Sequence, residues 1–107
     1  MTLPMRHNID VTVGKRIRRV FRWVVNGQNA DLTDWTGRIR IGQNGQFVTE
    51  VSNAVTLGGT DGTATVDIPP GTLTDAGTYS YALDLLDPND EPKDFVYGNL
   101  RILPEFP

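Results

Sequence analysis

The 107-residue sequence contains no cysteine and a single histidine, His7. The first absence removes disulfides, thiolate metal sites and cysteine nucleophiles together, so no covalent staple holds the fold. The second leaves no nitrogen-and-sulfur ligand set for a transition metal. A serine triad would have to bring Ser52 or Ser80 to His7, yet Ser80 falls inside an alternating segment and no nucleophile-elbow sequence is present. Catalytic, metal-binding and cofactor-binding residues are therefore expected to be none. Purely apolar runs reach only two or three residues, as at Trp23-Val24-Val25, against the ~20 of a membrane-crossing helix. The opening Met1-Thr-Leu-Pro-Met-Arg-His7 carries a proline and a charge where an export signal needs unbroken apolar residues, so no export is expected.

What is present is backbone punctuation and alternation. Eleven glycines and seven prolines suit many short strands better than a helical bundle. Phe21, Trp23 and Val25 share one face of a predicted strand over 20–25, with Arg22 on the other. Over 35–41, Trp35, Ile39 and Ile41 point inward and Thr36, Arg38 and Arg40 outward, a half-buried strand with a cationic outer face. Asn44-Gly45 then supplies the two residues that tolerate positive φ in a tight hairpin. Phe47, Thr49 and Val51 alternate next, a short strand over 54–57 follows, and 58–62 is a glycine-rich turn. That turn lacks the lysine and following helix of a phosphate loop. Ala64, Val66 and Ile68 form another strand, stopped by Pro69-Pro70. Tyr79, Tyr81, Leu83 and Leu85 line one face of a central strand, and Val96, Leu100 and Ile102 one face of the last, where Gly98 spares a bulky neighbour or marks a bulge. The only helical candidate is one turn over 71–75. With a first strand over 9–13, the reading is all-β: seven or eight strands in two antiparallel sheets packed face to face. Length and composition give one domain over 1–107, with a core of about 9–103, an N-terminal arm of 1–8 and a tail of 104–107. Leu3, Met5 and Phe106 are apolar groups on those ends and are candidate contacts with neighbouring subunits.

The net charge of −3 is unevenly spread. Through residue 42, eight cations face three acids, a balance of +5; beyond it, two cations face ten acids, a balance of −8. Such polarity suits nucleic acid, or the basic surface of one copy meeting the acidic surface of another. The run Lys15-Arg16-Ile-Arg18-Arg19-Val-Phe-Arg22 could follow a phosphate backbone, but the pI of about 4.9 and the lack of aromatics beside the cations argue against it. Arg16, Arg18, Arg38 and Arg40 are candidate protein contacts instead, with Asp90 and Glu91 in the acidic segment 84–94 as their complement. The oxygen spacing of that segment is not that of the helical calcium loop, and Pro88 and Pro92 stiffen it.

Leu73-Thr-Asp-Ala-Gly-Thr-Tyr-Ser-Tyr81 carries tertiary information. Asp75, Gly77 and Tyr79 resemble the corner of immunoglobulin-type sandwiches, where a tyrosine hydroxyl ties the strand crossing to the backbone, and Tyr81 stands at the place of that family's cysteine. In place of the disulfide, an aromatic cluster is expected, with Phe21 or Trp23 opposite Tyr81 and Trp35 where such folds bury tryptophan. Together with the stretches over 29–41 and 64–69, the corner Leu73 to Leu83 and the closing Tyr97-Gly-Asn-Leu-Arg-Ile, the chain resembles the N-terminal domain of phage baseplate upper proteins and related small tail and fibre proteins. The resemblance spans about residues 9–103 and implies an immunoglobulin-like, non-enzymatic virion part, assembled in the host cytoplasm, that docks to other phage structural proteins and to copies of itself. Since the chain ends after the sandwich without a fibre-forming segment, a tail, baseplate or fibre adaptor or a capsid decoration protein is expected rather than a receptor binder. Neither nucleic acid, membrane nor small-molecule ligand is expected as a partner. A carbohydrate-binding module is the alternative, and it would require the Trp35 ring to face solvent beside Tyr97 or Phe95. Deleting residues 1–6 is expected to leave the domain folded while reducing its incorporation into particles.

Overall fold

The computed structural model describes residues 4–51 and 53–104. Among the described residues eleven strands form: β1 (Met5–Arg6), β2 (Ile9–Thr12), β3 (Ile17–Arg22), β4 (Val24–Val25), β5 (Gln28–Asn29), β6 (Thr36–Gln43), β7 (Gln46–Val51), β8 (Val55–Leu57), β9 (Thr63–Ile68), β10 (Gly77–Leu86) and β11 (Pro92–Leu103). The larger sheet has the order β1-β11-β10-β6-β7, with β2 also on β11; the smaller is β3-β9-β8, and β4-β5 is a separate hairpin. The alternation read from sequence holds through most of both sheets. Ile17, Phe21, Val66 and Ile68 of the smaller sheet pack with Ile39, Ile41, Leu83, Leu85, Leu100 and Ile102 of the larger in one buried cluster. At the corner, the Tyr79 hydroxyl donates to the Asp75 carbonyl at 2.9 Å. This is an immunoglobulin-like β-sandwich.

Five details depart from the expected pattern. The strand over 20–25 is two elements: β3 ends at Arg22, and Asn26 and Gly27, with φ of 52° and 79°, close the β4-β5 hairpin. The same device closes β6-β7, where Asn44 and Gly45 have φ of 55° and 76°. The helical turn is not at 71–75 but is a 3-10 turn at Gly59–Asp61. A bulge at Ile41/Gly42 pairs Phe47 with outward Gly42, so Phe47 leaves the face of Thr49 and Val51 and stands in solvent. A second register shift, opposite Leu83/Asp84, leaves Phe95 as the extra residue, and Phe95 and Val96 are both buried.

The fifth departure concerns the N-terminus. Residues 1–8 are not wholly an arm, because Met5–Arg6 pair with Val96 and Tyr97, and Ile9–Thr12 continue along Leu100 to Leu103 in the same register. Both pairings are parallel, so the sandwich is not purely antiparallel. The turn after Thr12, closed by the Lys15 N–H on the Thr12 carbonyl, sends the chain into the other sheet. Gly98 makes the first strand possible: a Cβ there would collide with the His7 carbonyl that passes over it. Leu3 and Phe106 lie outside the described residues.

The aromatic cluster also differs from the expected one. His7 meets Phe21 edge-on at 5.4 Å, Phe21 meets Phe95 at 6.4 Å, and Trp23 bridges Phe95 and Trp35 at 6.2 and 6.0 Å. Edge-to-face pairs of this kind each add about 0.5–1.5 kcal/mol beyond the area they bury. None of these pairs includes Tyr81. It is buried at the cysteine's place as expected, but its hydroxyl donates to the His7 carbonyl, tying β10 to the first strand. This hydrogen bond lies within the larger sheet, unlike the disulfide of immunoglobulin domains, which joins two sheets.

Candidate interaction surface

The outward residues of β6 and β10 meet on the exposed face of the larger sheet. Arg38 lies opposite Asp84 in the antiparallel register, and Arg40 opposite Ala82. Both guanidinium groups reach the same carboxylate oxygen: Arg38 Nε is 3.3 Å and Arg40 Nη2 2.7 Å from Asp84 Oδ2. Asp84 is only 1% exposed although it points away from the core. Its Oδ1 is buried and has no hydrogen-bond partner among the described residues. A desolvated carboxylate is tolerated where cations clasp it, and here the clasp is on one oxygen only.

Two open recesses flank Arg40. One, of about 390 Å³, is bounded by Pro4, Arg40, Ala82, Asp84, Asp94 and Tyr97. The other, of about 320 Å³, extends across Gly42 and Ser80 to Phe47. The small residues Gly42, Ser80 and Ala82 form the floor, and the aromatic rings of Tyr97 and Phe47 stand at its two ends. Phe47 is 69% exposed and Tyr97 42%. The alternation of 35–41 placed Arg38 and Arg40 correctly. Asp84, read as the polar side of a strand and as one end of the acidic segment 84–94, was not read from the sequence as a partner of Arg38 and Arg40. Its signal was legible: two outward arginines at alternate positions of one strand need an acid on the neighbouring strand.

The other candidates do not converge there. Arg16 pairs with Asp67 at 2.7 Å, and Arg101 with Asp10 at 3.0 Å, both at the surface. Arg18 and Arg22 project from β3 on either side of exposed Val20. Asp90 and Glu91 occupy the β10-β11 turn, which is organised by Asp87: its Oδ1 accepts the N–H groups of Asn89 and Glu91 at 2.9 and 3.0 Å. Asp31 and Asp61 accept hydroxyl and N–H bonds from Thr33 and Thr63, which hold both carboxyls below their ordinary range. Among the described residues no three of His, Cys, Asp and Glu converge as a metal set. Trp35 packs edge-on against Trp23 and Phe95 is fully buried, so the expected sugar platform of Trp35 beside Tyr97 or Phe95 is not formed.

No protein-family model matches the sequence, and no curated protein matches it. Among solved structures the chain is similar to the titin M10–obscurin-like 1 Ig complex, at 12% identity and a TM-score of 0.48, over 98% of this chain and 94% of that one. That similarity says nothing of function, and the fold assignment rests on the strand order and corner described above.

Proposed function

We propose that the chain is a non-enzymatic structural part of a bacteriophage virion, a tail, baseplate or fibre adaptor that docks through its sheet edges to other phage structural proteins and to copies of itself. The observation that carries this reading is where the exposed apolar side chains fall. Among the described residues, three of the five exposed large apolar side chains lie on end strands of the smaller and larger sheets, Val20 (57% exposed) on β3 and Phe47 and Val48 on β7, while Val25 lies on β4 and Tyr97 on β11. An end strand presents unpaired N–H and C=O groups, and proteins that stay alone usually protect it with charge, proline or a bulge that twists the strand away. β7 carries such a bulge, yet it leaves Phe47 and Val48 exposed beside the strand's free edge, an apolar surface of the kind that a docking partner covers. The two recesses beside Arg40 are open and lie on the outer face of the larger sheet, which suits a passive role. The corner Leu73 to Leu83 and the closing Tyr97-Gly98 strand support the phage context through their resemblance to baseplate proteins.

The test is localisation. Purified particles of the phage that encodes the chain are expected to contain it at a fixed copy number, and an averaged image is expected to place β3 or β7 against a neighbour. A double variant, Val20→Asp with Phe47→Asp, should unfold at the parental temperature but enter particles several-fold less. Recovery of the chain only in the soluble lysate would overturn the proposal, as would normal incorporation of the double variant.

A further inference from the structure

We propose that the groove on the outer face of the larger sheet binds a neutral oligosaccharide, with Tyr97 as its stacking surface and Asp84, Asp94 and Arg40 as its hydrogen-bonding set. Three observations carry this assignment. The first is the buried Asp84 Oδ1 without a partner beside a recess of about 390 Å³, a size within the usual range of ligand sites. An acceptor in that position calls for an O–H or N–H donor, because a buried polar atom left unpaired is costly.

The second is the charge around the recess. Arg40, Asp84 and Asp94 line the recess, and Arg38, outside the lining, pairs with Asp84, so two cations and two acids balance across the cluster as a whole. A cationic ligand would approach two guanidinium groups and an anionic one two carboxylates. A neutral polyol meets neither penalty: its hydroxyls donate to Asp84 Oδ1 and Asp94 and accept from the N–H groups of Arg40.

The third is shape. Ala82 pairs with Tyr97 on one side and Arg40 on the other, so a flat floor lies between the ring and the guanidinium. The apolar C–H face of a pyranose fits against an exposed aromatic ring, while its equatorial hydroxyls reach sideways. From β11 to β7 is three strand spacings, about 14 Å, with Tyr97 at one end and Phe47 at the other. Two rings that far apart suit a chain of sugars rather than one.

The test uses the full ¹⁵N-labelled chain titrated with maltotriose, cellotriose, chitotriose and mannotriose, with free arginine and inorganic phosphate as charged comparators. At least one trisaccharide is expected to give saturable shifts at the Ala82, Asp84 and Tyr97 amides, while arginine and phosphate leave them in place. Tyr97→Ala should weaken that binding by about tenfold or more. Asp84→Asn changes a buried group, so the exposed Asp94→Asn serves as the second variant and should weaken binding several-fold with unchanged unfolding. The proposal is overturned if no trisaccharide gives saturable shifts, if the shifts map away from β10 and β11, if either comparator binds more tightly, or if Tyr97→Ala binds like the parent. None of these outcomes depends on whether the chain is found in particles.

Discussion

Two tyrosines two positions apart on β10 do different work, and the difference lies in what each hydroxyl meets. Tyr79 donates to Asp75, four residues upstream, so its bond fastens a local corner. Tyr81 donates to His7, far away in sequence, so its bond fastens the first strand to β10 within the larger sheet. Burial pushes the Tyr81 hydroxyl up to about 12, opposed by the nearby Arg19 charge. A folded-state value above the unfolded one means that the native state keeps a proton the unfolded chain loses first. The stabilisation is therefore complete below about pH 10 and is lost as pH rises towards about 12. Urea unfolding across that interval should show a steeper loss of stability in the parent than in Tyr81→Phe, which cannot ionise there. Equal slopes would mean that this hydroxyl is not held protonated by the fold.

At the scale of elements, single residues decide how neighbouring strands meet. The extra residue Phe95 turns both itself and Val96 into the core, which brings Phe95 within reach of Phe21 and Trp23. Lys93 then places its ammonium 5.3 Å from the Trp23 ring centroid. Strict alternation would have put Phe95 in solvent, and no local residue type announces the bulge. Gly98 is the opposite case, since a glycine inside a strand pattern already signals close backbone approach. Gly98→Val should lift the first strand from β11 and cost about 1–3 kcal/mol, as overpacking does. Hydrogen exchange should accelerate at His7, whose N–H donates to the Tyr97 carbonyl, and at Asn99, whose N–H donates to Asn8 Oδ1. Unchanged protection at both would show that the strand does not need the space. Because Met5 packs on the core and pairs with Val96, removing residues 1–6 takes away the edge strand β1.

Over the whole molecule, folding interleaves the two charge halves. Arg16–Asp67, Arg38–Asp84, Arg40–Asp84 and Asp10–Arg101 each join the basic first part of the sequence to the acidic second part. Arg16, Arg38 and Arg40 of the first part are met by Asp67 and Asp84 of the second, whereas Asp10–Arg101 pairs the minority charge of each part, so folding offsets the polarity only in part. What survives at the surface is the β3 stretch with Arg18 and Arg22, and the acidic turn with Asp87, Asp90, Glu91 and Asp94. Contact between these two regions on different copies either forms twice across a two-fold axis, closing a dimer, or runs head to tail into rings and open assemblies. Sedimentation velocity should show self-association weakening between about 0.1 and 1 M salt, where the screening length falls from about 10 to about 3 Å. Association indifferent to salt would assign the contact to the apolar edges instead.

Period-two spacing, Asn-Gly pairs and the Asp75-Gly77-Tyr79 corner are local properties of neighbouring residues, and from them the sequence by itself determined the all-β class, most strand positions and the inward residues. Asn26-Gly27 was equally legible and needed only the same rule applied twice. Pairings between distant strands are another matter, because a register shift of one residue reverses which face a side chain occupies. Only the tertiary structure decided that Phe95 turns in, that Phe47 turns out, that the first strand runs parallel to the last, and that Asp84 is desolvated beneath two arginines. The first two come from register shifts inside hairpins that no residue type marks, and the last two from segments tens of residues apart coming to rest against one another.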